Sequence, residues 1–109
     1  MKLITAFLHH VKVNAVVDAL NDAGYRNLIL QDVRGTLTPL DEFERVYSAE
    51  ARLVISEAKL SIACDDNEVD TIANIIRLAG KIGDGISGWV YVSAIEQALP
   101  IGGDVIQTQ

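Results

Sequence analysis

Gly80-Lys81-Ile82-Gly83-Asp84-Gly85 joins a helical pattern to a short apolar strand, Trp89-Val90-Tyr91-Val92. Three glycines in six residues allow the backbone positive φ and a close approach to a ligand with no Cβ in the way. Bare amides in such a turn, with Lys81 beside them, suit an anion such as a phosphate group. Read alone, the hexapeptide also fits a tight turn whose glycines serve geometry only.

Upstream of the turn, Val69, Ile72, Ala73, Ile76 and Ala79 recur at helical spacing, and Gly80 ends the run. Asp65 and Asp66 are placed to cap this helix, and with Glu68 they favour the positive end of its dipole. Before them, Leu60, Ile62 and Cys64 alternate with Lys59, Ser61 and Ala63, the period of a half-buried strand. Leu53 to Ile55 reads as a separate extended run. Beyond the turn, Ser93 to Leu99 has room for a short helical turn that Pro100 would stop.

The first third reads as strand, helix and strand. Leu3 to Leu8 reads as a strand, followed by His9 and His10 as a partly exposed loop pair. Adjacent histidines on extended chain diverge, so they are poor metal ligands by themselves. Val13, Val16, Val17 and Leu20 mark an amphipathic helix, with Asn14 as N-cap, Asp18 and Asn21 towards solvent, and Gly24 as the stop. Asn27 to Arg34 reads as the second strand, ended by Gly35. From Thr36 to about Ala51 the pattern breaks down. Thr36, Thr38 and Pro39 disfavour a regular element, and charges interleave with Phe43, Val46 and Tyr47. A stretch of that kind inside a compact domain reads as a functional arm or a solvated flap. The element order is strand, helix, strand, long arm, strand, helix, strand: an α+β, ferredoxin-like βαββαβ sandwich.

At 109 residues the chain fits one domain, and with half its residues hydrophobic it can bury a core. We expect the domain to span 1–101 and a loose tail to follow at 102–109. A net charge of −6 argues against a general nucleic-acid binder. No apolar run approaches membrane-span length and no signal-peptide pattern opens the chain, so the expectation is a cytoplasmic protein. Cys64 is the sole cysteine and is expected as a buried thiol. No nucleophile-base pair and no cluster with metal-ligand spacing stands out, which disfavours an enzyme.

Four stretches together resemble the PII signalling family: Met1-Lys2-Leu3-Ile4-Thr5-Ala6, Asp32-Val33-Arg34-Gly35, Lys59 through Asp66, and the Gly-Lys-Ile-Gly-Asp-Gly string. The string is the most specific of them. The resemblance implies a trimer that binds adenine nucleotides between subunits and regulates a membrane transporter or a metabolic enzyme through the arm, called the T-loop. Carried over by position, Gly35 and Thr36 would lie at the arm's base, and Lys81, Gly83, Asp84 and Gly85 at the phosphate turn. Phe7, Leu28, Ile29, Ile62 and Cys64 would lie near the wall that holds the base. Phe43, Arg45 and Tyr47 would be the arm's partner-binding residues.

The departures from the family are as informative. Its nitrogen-sensing members carry a lysine after the glycine turn and two arginines after the last strand. Here Ile86-Ser87-Gly88 follows the turn as an apparent insertion, and Ala98 to Gly103 occupies the arginine region. Each charge-assisted phosphate contact is worth about 1.5–3 kcal/mol, so losing several weakens triphosphate binding by orders of magnitude. Glu57 stands where a lysine would help hold 2-oxoglutarate, and Thr38 and Pro39 replace the glutamine near the arm's base. The expectation is a divergent PII-like protein that prefers ADP, AMP or cyclic AMP to ATP, or a small anion such as bicarbonate. Two alternatives remain: a metal-tolerance trimer of the CutA sort, with His9 and His10 as candidate ligands, and an adaptor that has lost the small molecule.

Overall fold

The computed structural model describes residues 1–35 and 55–103. Four strands and two α-helices follow one another in it: β1 (Lys2–His9), α1 (Val13–Asp22), β2 (Ile29–Gly35), β3 (Ile55–Cys64), α2 (Val69–Ala79) and β4 (Gly88–Ala94). The sheet order is β2-β3-β1-β4, and every neighbouring pair is antiparallel. This is the ferredoxin-like plan that the pattern predicts. Of the run Leu53 to Ile55, Ile55 opens the same ten-residue strand as Lys59 to Cys64; Leu53 and Val54 lie outside the described residues. Thr36, Phe43, Arg45 and Tyr47 lie outside the described residues.

Both helices cover one face of the sheet. Ile4, Ala6 and Leu8 of β1 and Ala58, Leu60, Ile62 and Cys64 of β3 pack against Val16 and Leu20 of α1 and Ile72 and Ile76 of α2. Ile4, Val16, Leu20, Leu60 and Ile72 are fully buried. Truncating such a side chain to alanine typically costs about 2–5 kcal/mol. Alternation sends Leu3, Thr5 and Phe7 to the opposite face, where β4 adds Trp89 and Tyr91 and β2 adds Ile29. Phe7 and Tyr91 meet edge to face, ring centroids 6.1 Å apart. Trp89, Tyr91 and Ile29 are each more than half exposed, at 53%, 54% and 63%. Among the described residues this second face is mixed: Trp89, Tyr91 and Ile29 stand exposed beside the polar Thr5, Gln31, Lys59 and Ser61, while His9 and Glu57 at its far end are buried.

The helix ends explain several local outcomes. A 3-10 turn, His10–Lys12, leads directly into α1, so Asn14 falls inside the helix rather than capping it. Gly24, at φ +95°, takes the left-handed turn after α1 that only glycine adopts cheaply. Asp65 and Glu68 form a reciprocal capping box around a 3-10 turn, Asp66–Glu68, that runs into α2. Asp66 is turned elsewhere: its Oδ1 meets the Met1 ammonium at 2.8 Å and Lys2 Nζ at 3.9 Å. That ammonium, with Lys2 behind it, holds the Asp66 carboxyl below its ordinary pKa. No helical turn forms after β4. Ala94 still pairs with Lys2, and Ile95 N–H donates to the Met1 carbonyl at 3.1 Å, which keeps the chain extended.

Candidate functional site

The glycine turn occupies the gap between the end of α2 and the start of β4. Gly80 closes the helix with φ −89°, its N–H donating to Ile76 O at 2.9 Å. The left-handed conformation is confined to Gly83, at φ +61°. Of the turn's three glycines, then, only Gly83 needs positive φ. The turn is closed by a side chain. Ser87 Oγ accepts from Ile82 N–H at 2.9 Å and donates to Ile82 O at 3.0 Å. Gly88 then enters the sheet so close to β1 that a Cβ would run into the Phe7 carbonyl oxygen.

Beneath the turn lies a cleft of about 440 Å³. Ala6, Phe7, Leu8, Ile76, Trp89 and Val90 supply its apolar surface, and Arg77, Lys81 and Gly85 border it. Arg77 and Lys81 are its two cations, and among the described residues no carboxylate lines it. Arg77 Nη1 donates to Asn74 Oδ1, one helical turn back, at 3.4 Å. An apolar hollow edged by two cations and bare amides can take a ligand with one flat apolar end and one anionic end. Arg77 escaped the sequence reading. Its part in the cleft depends on how α2 is rotated over β1 and β4.

The residues carried over from the family fall into separate groups. Phe7, Lys81 and Gly85 line the cleft, while Gly83 and Asp84 sit at the exposed outer part of the turn. Ile62 and Cys64 point the other way from Phe7, into the core beneath the helices. Leu28 packs half-buried against that core. Ile29 and Gly35 belong to β2, and β2 and β4 are the opposite edges of the sheet. Within one chain, then, the base of the arm and the glycine turn stand at opposite edges. Glu57 is buried on β3 and its carboxylate lies over Gly35, so a Cβ at Gly35 would meet both oxygens at 2.5 Å.

The two histidines do not behave as a loop pair. His9 ends β1, is 1% exposed and stands opposite Glu57, whereas His10 is exposed in the following 3-10 turn. Among the described residues, no group of three or more histidine, cysteine or acidic side chains could hold a metal ion. Cys64 is buried as expected. Burial, followed by the carboxylates of Glu68, Asp65 and Asp66, raises its thiol pKa and keeps it protonated at neutral pH.

Comparison with known proteins agrees with the fold. The family model described as nitrogen regulatory protein P-II matches residues 1–104. The chain is similar to the nitrogen regulatory protein P-II of Nostoc punctiforme, 29% identical over 102 residues, covering 93% of this chain and 91% of that protein. It is similar to nitrogen regulatory protein P-II 2 of Methanothermobacter thermautotrophicus, 28% identical, covering 93% and 89%. Nitrogen regulatory protein GlnK of Escherichia coli is 28% identical over 105 residues, covering 93% and 91%. Among the described residues no helix is long and apolar enough to cross a membrane.

Proposed function

The chain belongs to the nitrogen regulatory protein P-II family, and from that membership we propose that it is a ligand-reading regulator and not an enzyme. It binds an adenine nucleotide of low charge, ADP, AMP or cyclic AMP in preference to ATP, or a small anion such as bicarbonate. The ligand sits at a seam between subunits of a homotrimer. The bound state is passed to a transporter or a metabolic enzyme in the cytoplasm through the arm at 36–51.

One observation carries the seam. Gly35 and the glycine turn are at opposite edges of the sheet, so a site that uses both needs two copies of the chain. The exposed Trp89, Tyr91 and Ile29 on one sheet face support self-association, because large apolar side chains grouped in this way commonly mark an interface. The preference for fewer charges rests on the cleft's two cations, Arg77 and Lys81. A triphosphate carries more charge than they offset.

Two measurements test this together. Sedimentation equilibrium should give a trimer. Calorimetry with ATP, ADP, AMP and cyclic AMP, each with and without bicarbonate, should give heat with at least one of the less charged nucleotides. A monomer in solution, or no heat in any pairing, removes the proposal.

A further inference from the structure

Ser87 lies in the segment Ile86-Ser87-Gly88, which reads as an insertion relative to the nitrogen-sensing members and has no assigned role. Its hydroxyl uses both its donor and its acceptor capacity on one residue, Ile82, across the glycine turn. The span from 82 to 87 is thereby tied into a ring. Inside the ring, Gly83, Asp84 and Gly85 are exposed, and among the described residues their backbone N–H groups donate to no protein acceptor. Neither Gly83 nor Gly85 has an atom within 4 Å of where a Cβ would be, so the outer side of the ring is open to a ligand. The ring is also anchored at its far end, where Gly88 locks against the Phe7 carbonyl.

We propose that Ser87 is the positioning residue of the anion turn. Ser87 lines the cleft, but its role is in the clasp: with the hydroxyl committed to Ile82, it fixes the Gly83–Gly85 amides in a receptive shape before a ligand arrives. This rests on the reading that the turn receives an anion. The clasp stands in for order that a ligand would otherwise have to impose. A loop already held in its bound shape loses less freedom on binding, so the gain appears as affinity. A serine is suited to this, since a single hydroxyl can donate and accept at once. Because Ser87 has spent both capacities on Ile82, the anion is left to the backbone amides and to Lys81. That arrangement suits a phosphate monoester of low charge.

The test uses the full chain and the variants Ser87→Ala, Ser87→Thr and Ser87→Val. Thr and Val have nearly the same shape and differ in the hydroxyl. Amide exchange at Ile82, read by NMR without ligand, reports the clasp. Calorimetry with AMP, ADP and inorganic phosphate reports binding. In Ser87→Ala, Ile82 exchange should quicken and affinity should fall about tenfold, the loss of one or two hydrogen bonds' worth of order. Ser87→Thr should keep slow exchange and near-native affinity, and Ser87→Val should lose both, so the isosteric pair decides the matter even if the alanine variant folds poorly. The proposal is overturned if Val binds as tightly as Thr. It is equally overturned if affinity falls while Ile82 exchange stays slow, since the hydroxyl would then act on the ligand itself. A wild-type chain that binds none of the three probes is a different result. It would remove the anion reading, and this role with it, before any variant is compared.

Discussion

Gly88 on β4 lies against the carbonyl of Phe7 on β1 with no room for a Cβ: the added carbon would overlap the oxygen and sit 3.2 Å from Phe7 C and 3.3 Å from Leu8 Cα. The obstacle is backbone in a central strand, hydrogen-bonded on both sides, and it cannot swing away as a side-chain end could. Gly88→Ala should therefore destabilise by about 1–3 kcal/mol, the range for overpacking a filled site. Thermal melting should drop by about 4–8 °C for each of those kcal/mol. A melting point within a degree of wild type would mean that β4 can slide away from β1 at no cost.

Gly83 and Gly85 should respond differently to the same change. Gly83 is left-handed, so Gly83→Ala should cost about 1–2 kcal/mol in urea denaturation. Gly85 has ordinary φ and open space, so Gly85→Ala should stay within about 0.5 kcal/mol of wild type. If a ligand presses on the backbone there, Gly85→Ala should still lose several-fold in nucleotide affinity. Full affinity in that stable variant would argue that no ligand comes close to residue 85.

Two groups near the start of α2 bear on stability at alkaline pH. Burial first, then nearby carboxylates, raises Cys64, and burial followed by Glu68 raises Tyr25. Both keep their protons longer in the folded chain than in the unfolded one. Their contribution is complete below the ordinary thiol and phenol pKa values, and it is lost as pH climbs through the raised folded values. Stability should thus fall with pH in the alkaline range, and Cys64→Ala and Tyr25→Phe should each make that fall shallower. At pH 8 a thiol-reactive dye should label Cys64 far more slowly in the native protein than in urea. Equal labelling rates would place the thiol in solvent.

Much of this fold can be read from local chemistry. The alternation from Lys59 to Cys64 gives β3 its faces, Gly24 ends α1 with positive φ, and Asp65 and Glu68 cap the approach to α2. Such signals work because their partners lie within a few residues. The residues carried over to the base-holding wall divide between two faces of one chain for the opposite reason. Phe7 and Ile62 lie on different faces of the sheet, a parity that only the register of β1 on β3 determines. Ser93 to Leu99 has helix-compatible residues, yet pairing with the chain's first two residues overrides that preference. The Ser87 clasp and the cleft's Arg77 also depend on how the ends of α2 and β4 meet, which no short window of sequence encodes.

The sheet face that carries Trp89, Tyr91 and Ile29 has a practical consequence. These exposed side chains favour the proposed self-association, which would make unfolding a function of dose. Melting points taken at micromolar and at nanomolar protein should not coincide. Any substitution in that face would then shift the concentration at which the chain holds together before it altered the strands themselves.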